Sequence, residues 1–223
     1  MVQFLGPRRT GRHAKFQDKQ REILVAASRV FRRQGLHATG MRDIANELGM
    51  AVGNLYYYFK DKDDLLAFIQ EEALAGLLTL ADSVEVSGLR EDGRLRKLII
   101  EHVVLLNETT PGSLAHLEVE ALSEPRRSMV RLQRDAYRRT MRQIVEEGIA
   151  AGVFRPTDPT AASMAILGAA NWTVKWFRPD GTKTARDIGR ELAEILVRGL
   201  LAPGIELLPE PEEATTEAAC LAT

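Results

Sequence analysis

Three consecutive tyrosines, Tyr56, Tyr57 and Tyr58, follow Val52, Gly53 and Asn54 in one short stretch of the chain. These residue types suit contact with a nucleic acid. An asparagine amide pairs bidentately with adenine, a valine packs on a thymine methyl, and a tyrosyl hydroxyl meets phosphate oxygens. Gly53 allows close backbone approach, at some cost in helix stability. Arg42 suits a guanine or a phosphate, and Lys62 a phosphate. On a helix, successive side chains stand about 100° apart. Three adjacent rings therefore cannot all face one buried stripe, and at least one tyrosine must point outward.

The elements that position these side chains are legible around them. Ile44, Ala45 and Leu48 give one short helix an apolar face, Gly49 breaks it, and Leu55 and Phe59 give a second helix its buried stripe over about 52–59. Thr39 is the expected N-cap of the first. Upstream, Ile23, Ala27, Val30 and Phe31 repeat at helical spacing from Asp18, with Gly35 as the stop. Three such helices form a helix-turn-helix domain over 17–60, whose last helix lies in the major groove of duplex DNA.

Charge separates the same way. Residues 1–60 hold 11 Lys and Arg against 4 Asp and Glu, whereas the remainder holds 19 against 27. A basic front on an acidic body predicts a polyanionic partner for the front only. Residues 1–16, with Arg8, Arg9, Arg12 and Lys15, read as a flexible basic arm that either touches DNA or is simply solvated. Residues 205–223 carry five Glu, two Pro and no Lys or Arg, and are expected to be disordered. The single cysteine, Cys220, cannot form an intrachain disulfide. The arginine-rich start predicts no signal peptide, and no apolar run is long enough to span a bilayer. The expectation is a soluble, cytoplasmic protein that does not engage a membrane.

Residues 61–204 read as a helical bundle, giving an all-α chain of about nine helices. A long helix opens at Asp61. A further apolar helix, about 159–177, places Ala165, Gly168, Trp172 and Trp176 along one face and Ala162, Ile166, Ala169 and Thr173 along its neighbour. The second of these faces, with the stripe Ile188, Leu192, Ile195 and Gly199, is the expected dimer core. Trp172 and Trp176 are candidate walls of a ligand pocket, with plain packing as the competing reading. Asn171, His102 and His116 are candidates for its polar groups. The histidines show no metal-ligand spacing, no nucleophile or phosphate-loop motif occurs, and neither metal, cofactor nor enzymatic activity is expected.

The run Thr39-Gly40-Met41-Arg42-Asp43-Ile44-Ala45, then Leu48 to Phe59, then Lys62 and Leu65, resembles the DNA-binding signature of the TetR family. The resemblance implies an all-helical homodimer, each subunit offering one helix-turn-helix to half of a palindromic operator, and a repressor released by a small-molecule effector. By position, Arg42, Val52, Gly53, Asn54, Tyr56 and Tyr57 match base or phosphate contacts, and Tyr58 and Lys62 match phosphate contacts. Thr39, which opens the motif, is grouped with them. Ala51 departs from the family's serine cap and Tyr58 from a common histidine. Residues 171–181 resemble a helix end in TetR regulators of fatty-acid and sterol catabolism, which often answer acyl-CoA thioesters. Two alternatives stay open: a multidrug-responsive repressor of an efflux gene, and a DNA-binding interaction protein without a small ligand. The acidic surplus of the body fits cationic drugs better than anionic CoA.

Overall fold

Ile23, Ala27, Val30 and Phe31 are completely buried along one side of the first helix, α1 (Gly11–Gln34). The computed structural model describes residues 11–109 and 118–208. Helix α1 starts earlier than its apolar repeat suggests, so residues 11–16 are helical and not part of an arm. The Phe16 ring supplies the missing anchor, packing against Tyr57 and Tyr58 at centroid distances of 5.8 and 5.0 Å. The remainder of the expected arm, residues 1–10, lies outside the described residues.

Gly35 closes α1 with φ +83°, a left-handed conformation that glycine adopts without strain. Helix α2 (Met41–Glu47) is capped by Gly40, not by Thr39: the Asp43 carboxylate accepts the Gly40 N–H at 2.7 Å. Thr39 is buried, and its hydroxyl donates to the Gly35 carbonyl at 2.7 Å, sealing the end of α1. Helix α3 is only Val52–Tyr56, with Tyr57 and Tyr58 in the turn that follows. Its sequence explains the early stop. Gly53 and the tyrosines are weak helix formers, and Ala51 at the N-cap has no side-chain oxygen to offer.

Helix α4 (Lys62–Glu85) opens on an Asp61 cap, whose carboxylate accepts the Asp64 N–H at 2.7 Å. The body adds α5 (Glu91–Val104), α6 (Arg126–Ala150), α7 (Pro159–Trp176) and α8 (Ala185–Arg198). Helix α8 packs along α5, while α6 lies between α4 and α7. Helix α5 runs into a π-helical turn, Leu105–Thr109, where the Asn107 amide donates to the Val103 carbonyl and the Thr173 hydroxyl. A 3-10 turn, Val119–Ala121, precedes α6. The described residues thus hold eight α-helices; of the short helix expected before Leu122 they include only this turn, the earlier part lying outside the described residues. No strand occurs among them beyond one bridge between Phe154 and Leu201.

The C-terminal segment is anchored further than its composition predicts. Ile205 and Leu207 rest on the core, Arg90 donates to the Glu206 carbonyl, and the Leu208 N–H donates to buried Asp92. Residues 209–223, with Cys220, lie outside the described residues. Among the described residues no helix is long and apolar enough to cross a membrane.

Beyond the end of α6, Gly152 at φ +74° turns the chain back so that the Phe154 ring lies on Gly148. A Cβ at position 148 would sit 2.2 Å from this ring, which is itself 1% exposed. Gly148→Ala should therefore cost about 1–3 kcal/mol, the usual penalty for overpacking a tight core. An unchanged melting temperature would contradict this packing.

Candidate DNA surface and effector cavity

Arg42, Gly53, Asn54, Tyr56 and Tyr57 are exposed on one end of the molecule, with Val52, Tyr58 and Lys62 half-buried beside them. Tyr57, at 70% exposure, projects furthest. Tyr57 and Tyr58 meet edge to face at 5.1 Å, so each ring, with Phe16, fixes the other. Thr39 is the exception in the expected set, since its hydroxyl is spent on α1 and it presents nothing to solvent. Lys62 has a second engagement that sequence did not show. Its ammonium donates to the Leu36 carbonyl at 2.6 Å, tying the start of α4 to the α1–α2 connection. Burial lowers the Lys62 pKa, with the Asp43 charge opposing.

A cavity of about 290 Å³ opens between α4, α5, α6 and α7. Leu74, Leu77 and Leu167 give it an apolar wall. His102 and Tyr137, both buried, and half-buried Asn171 form its polar end. His102 Nδ1 lies 3.0 Å from the Tyr137 hydroxyl and Nε2 lies 3.1 Å from Asn171 Oδ1. Burial pushes His102 down to about 4, outweighing the Asn171 hydrogen bond, and raises the Tyr137 phenol above its ordinary value. The imidazole is therefore neutral at pH 7. Arg131, Arg134 and Arg138, one helical face of α6, also line the cavity, with Asp135 as the acid among them. Burial lowers Arg134 to about 10, still well above neutrality. Arg131 pairs with Glu120 at 2.6 Å and Arg138 with Asp135 at 2.8 Å.

Two of the expected ligand groups, His102 and Asn171, thus meet in one cavity. Trp172 and Trp176 do not line it, because they stand on the outer face of α7, 59% and 48% exposed. His116 lies outside the described residues. Tyr137 and the three arginines were missed, since an arginine-rich helix reads in sequence as a solvated surface.

The two faces of α7 are exchanged relative to expectation. Ile166 and Thr173 are buried within the subunit, where Thr173 is bonded to Asn107, and Ala162 and Ala169 are half-buried. Ile188 packs with Val103, Ala170, Phe177 and Ala185. The helical phase thus turns Ala161, Ala165, Gly168, Trp172 and Trp176 to solvent. On α8, Ile195 is 68% exposed, Gly199 is exposed and Leu192 half-buried.

Helix α6 joins the cavity to the DNA-binding end. Five residues before Arg131, Arg126 donates to Asp64 at 2.7 Å and lies 3.3 Å from Asp63. Ser123 bonds Asp63 twice, backbone N–H to Oδ1 at 2.8 Å and hydroxyl to Oδ2 at 2.6 Å. Burial alone would raise the Asp63 carboxyl, but the Ser123 bonds and Arg126 outweigh it and hold it below its ordinary value. These two aspartates occupy the first turn of α4, beside Lys62.

His102 also predicts a pH dependence of stability. Its pKa of about 4 in the fold lies below the unfolded value of about 6.5, so in between the unfolded chain binds more protons. Stability is then complete above about pH 6.5 and falls by up to about 3 kcal/mol as pH drops toward 4. Urea titrations across this range should show the loss in the wild type and a smaller one in His102→Gln. Equal slopes for the two proteins would contradict a buried neutral imidazole.

Comparison with known proteins agrees with this geometry. Residues 23–69 match the model of bacterial regulatory proteins of the tetR family, and 88–200 match the tetracyclin repressor-like C-terminal domain. The transcriptional repressor KstR2 of Mycobacterium tuberculosis is 27% identical over 194 residues, covering 82% of this chain and 94% of that protein. The TetR regulator PfmR of Thermus thermophilus superposes with a TM-score of 0.72 at 30% identity, covering 79% of this chain and 97% of its own. AibR, solved with isovaleryl coenzyme A and operator DNA, superposes at 0.68 with 25% identity, covering 83% and 99%. The chain belongs to the TetR family of DNA-binding transcriptional regulators.

Proposed function

We propose that this protein is a homodimeric cytoplasmic repressor that grips a palindromic operator and releases it when an acyl-CoA thioester enters the cavity. The observation that carries this reading is the cavity's make-up: an apolar wall with three arginines, on a helix that also reaches the start of α4. Coenzyme A is a polyanion attached to an acyl group, and this lining complements both parts. AibR, a structural relative, binds such a thioester. A cationic drug would meet the arginines at close range. Of the body's acidic residues, only Asp135 among those described lines the cavity.

In this reading Val52, Gly53 and Asn54 reach base edges, with Arg42, Tyr56 and Tyr57 reading bases or holding phosphates. Tyr58 and Lys62 face the backbone. Thr39 seals the end of α1 and makes no contact with DNA. The partner subunit covers the exposed α7 face with Trp172 and Trp176, and Leu192, Ile195 and Gly199 on α8. An anionic head drawn to Arg131, Arg134 and Arg138 competes for Arg131 with Glu120 and for Arg138 with Asp135. That displaces α6, and the Arg126–Asp64 and Ser123–Asp63 bonds carry the shift into α4 and the recognition helix.

Gel-shift titrations with DNA flanking the chain's own gene test this function. An acyl-CoA should weaken binding about 5- to 150-fold, the usual range of allosteric coupling. DNA binding that ignores acyl-CoA would contradict it. Arg126→Ala should bind acyl-CoA as the wild type does, yet lose most of this coupling. Full coupling in Arg126→Ala would show that the signal travels by another route.

A further inference from the structure

The polar end of the cavity is more specific than a wet patch beside an apolar wall. Tyr137, His102 and Asn171 come from α6, α5 and α7, and they form one chain of hydrogen bonds. A neutral imidazole donates from one nitrogen and accepts at the other. Of the two groups flanking His102, the phenol is the stronger acid and so the stronger donor. Tyr137 O–H therefore donates to Nδ1, which leaves Nε2–H to donate to Asn171 Oδ1. The remaining group is the Asn171 NH2, which has no protein partner among the described residues and belongs to a side chain that lines the cavity.

Resting on the acyl-CoA reading above, we infer that Asn171 is the specificity residue that donates a hydrogen bond to the thioester carbonyl of a short acyl group, with His102 and Tyr137 as positioning residues that hold its amide the right way round. The cavity's size limits that group. At about 290 Å³ the cavity lies at the small end of ligand pockets, which run to about 300–1,000 Å³, and this favours a six-carbon chain over a sixteen-carbon one. The nucleotide stays outside, near the arginines. Rotating the Asn171 amide by half a turn would put its oxygen toward the ligand carbonyl, and Nε2–H would then face an NH2. The order set by Tyr137 forbids that.

Three ligands and two variants decide the matter by calorimetric titration of the intact protein. The ligands are hexanoyl-CoA, its S-hexyl thioether with a methylene in place of the carbonyl, and hexadecanoyl-CoA. Wild type should bind hexanoyl-CoA about tenfold tighter than the thioether, as one neutral hydrogen bond allows. Asn171→Leu should bind both alike, near the wild-type affinity for the thioether. Tyr137→Phe, which keeps the amide but frees its orientation, should cut the preference to a few-fold and leave thioether affinity unchanged. A purely structural role for Tyr137 would instead weaken both ligands equally and overturn the relay. Equal binding of hexanoyl-CoA and thioether by the wild type, or a preference retained in Asn171→Leu, overturns the carbonyl assignment alone. Hexadecanoyl-CoA binding as tightly as hexanoyl-CoA overturns the size limit. If none of the three binds, the proposal falls together with the acyl-CoA reading.

Discussion

Helix α4 belongs to two places at once, and the rest of the molecule is organised by that fact. Its first turns bury Leu65, Leu66 and Ile69 in a core shared with Ile23, Phe31, Leu55 and Phe59. Its later turns bury Leu74, Leu77 and Ala81 in the same continuous cluster as Leu95, Leu98 and Met141 of the body. There is no apolar seam along which the two ends part freely. Because close-packed interiors transmit strain more readily than they absorb it, a displacement of α4 by the body must move the helix-turn-helix with it. The Lys62–Leu36 bond adds a polar tie at the same junction.

Electrostatics divides the labour on this frame. The front is basic and the body acidic, but the net charge of the body says little about its interior. Many acids there pair with neighbouring arginines, as Glu120 does with Arg131 and Glu147 with Arg94. The face of α6 that lines the cavity brings three arginines beside its apolar wall. Their ion pairs are partly exposed and individually weak. A more highly charged ligand can exchange them at little cost, which suits groups that must be held in one state and surrendered in another.

Much of this was legible in the sequence, and the failures have physical causes. The helix-turn-helix was readable because its information is local: apolar spacing at Ile44, Ala45, Leu55 and Phe59, glycine stops, and polar residues with nothing to bury them. Thr39 misled because its side chain suits a cap, whereas the reach of Asp43 to the Gly40 N–H sets the helix start one residue later. Phe16 extended α1 through contact with rings some forty residues on, which no local pattern encodes. The α7 faces were exchanged because both are made of small and apolar residues, so periodicity fixes the helix but not its rotation. His102 and Asn171 stood out as polar residues on apolar helices. Tyr137 and the α6 arginines did not, since only the tertiary fold turns them inward.

The central claim is that filling the cavity moves the recognition helices through α6 and α4. Electron–electron resonance on a dimer spin-labelled at Ala38→Cys, exposed beside α2, with Cys220→Ser, measures that movement directly. On operator DNA the labels should give one narrow distance, since the half-sites lie about 34–36 Å, or a multiple, apart. Saturating acyl-CoA should shift that distance to a new mean in wild type and leave it in place in Arg126→Ala. An unmoved distance in wild-type protein that has nonetheless let go of its DNA would contradict the account.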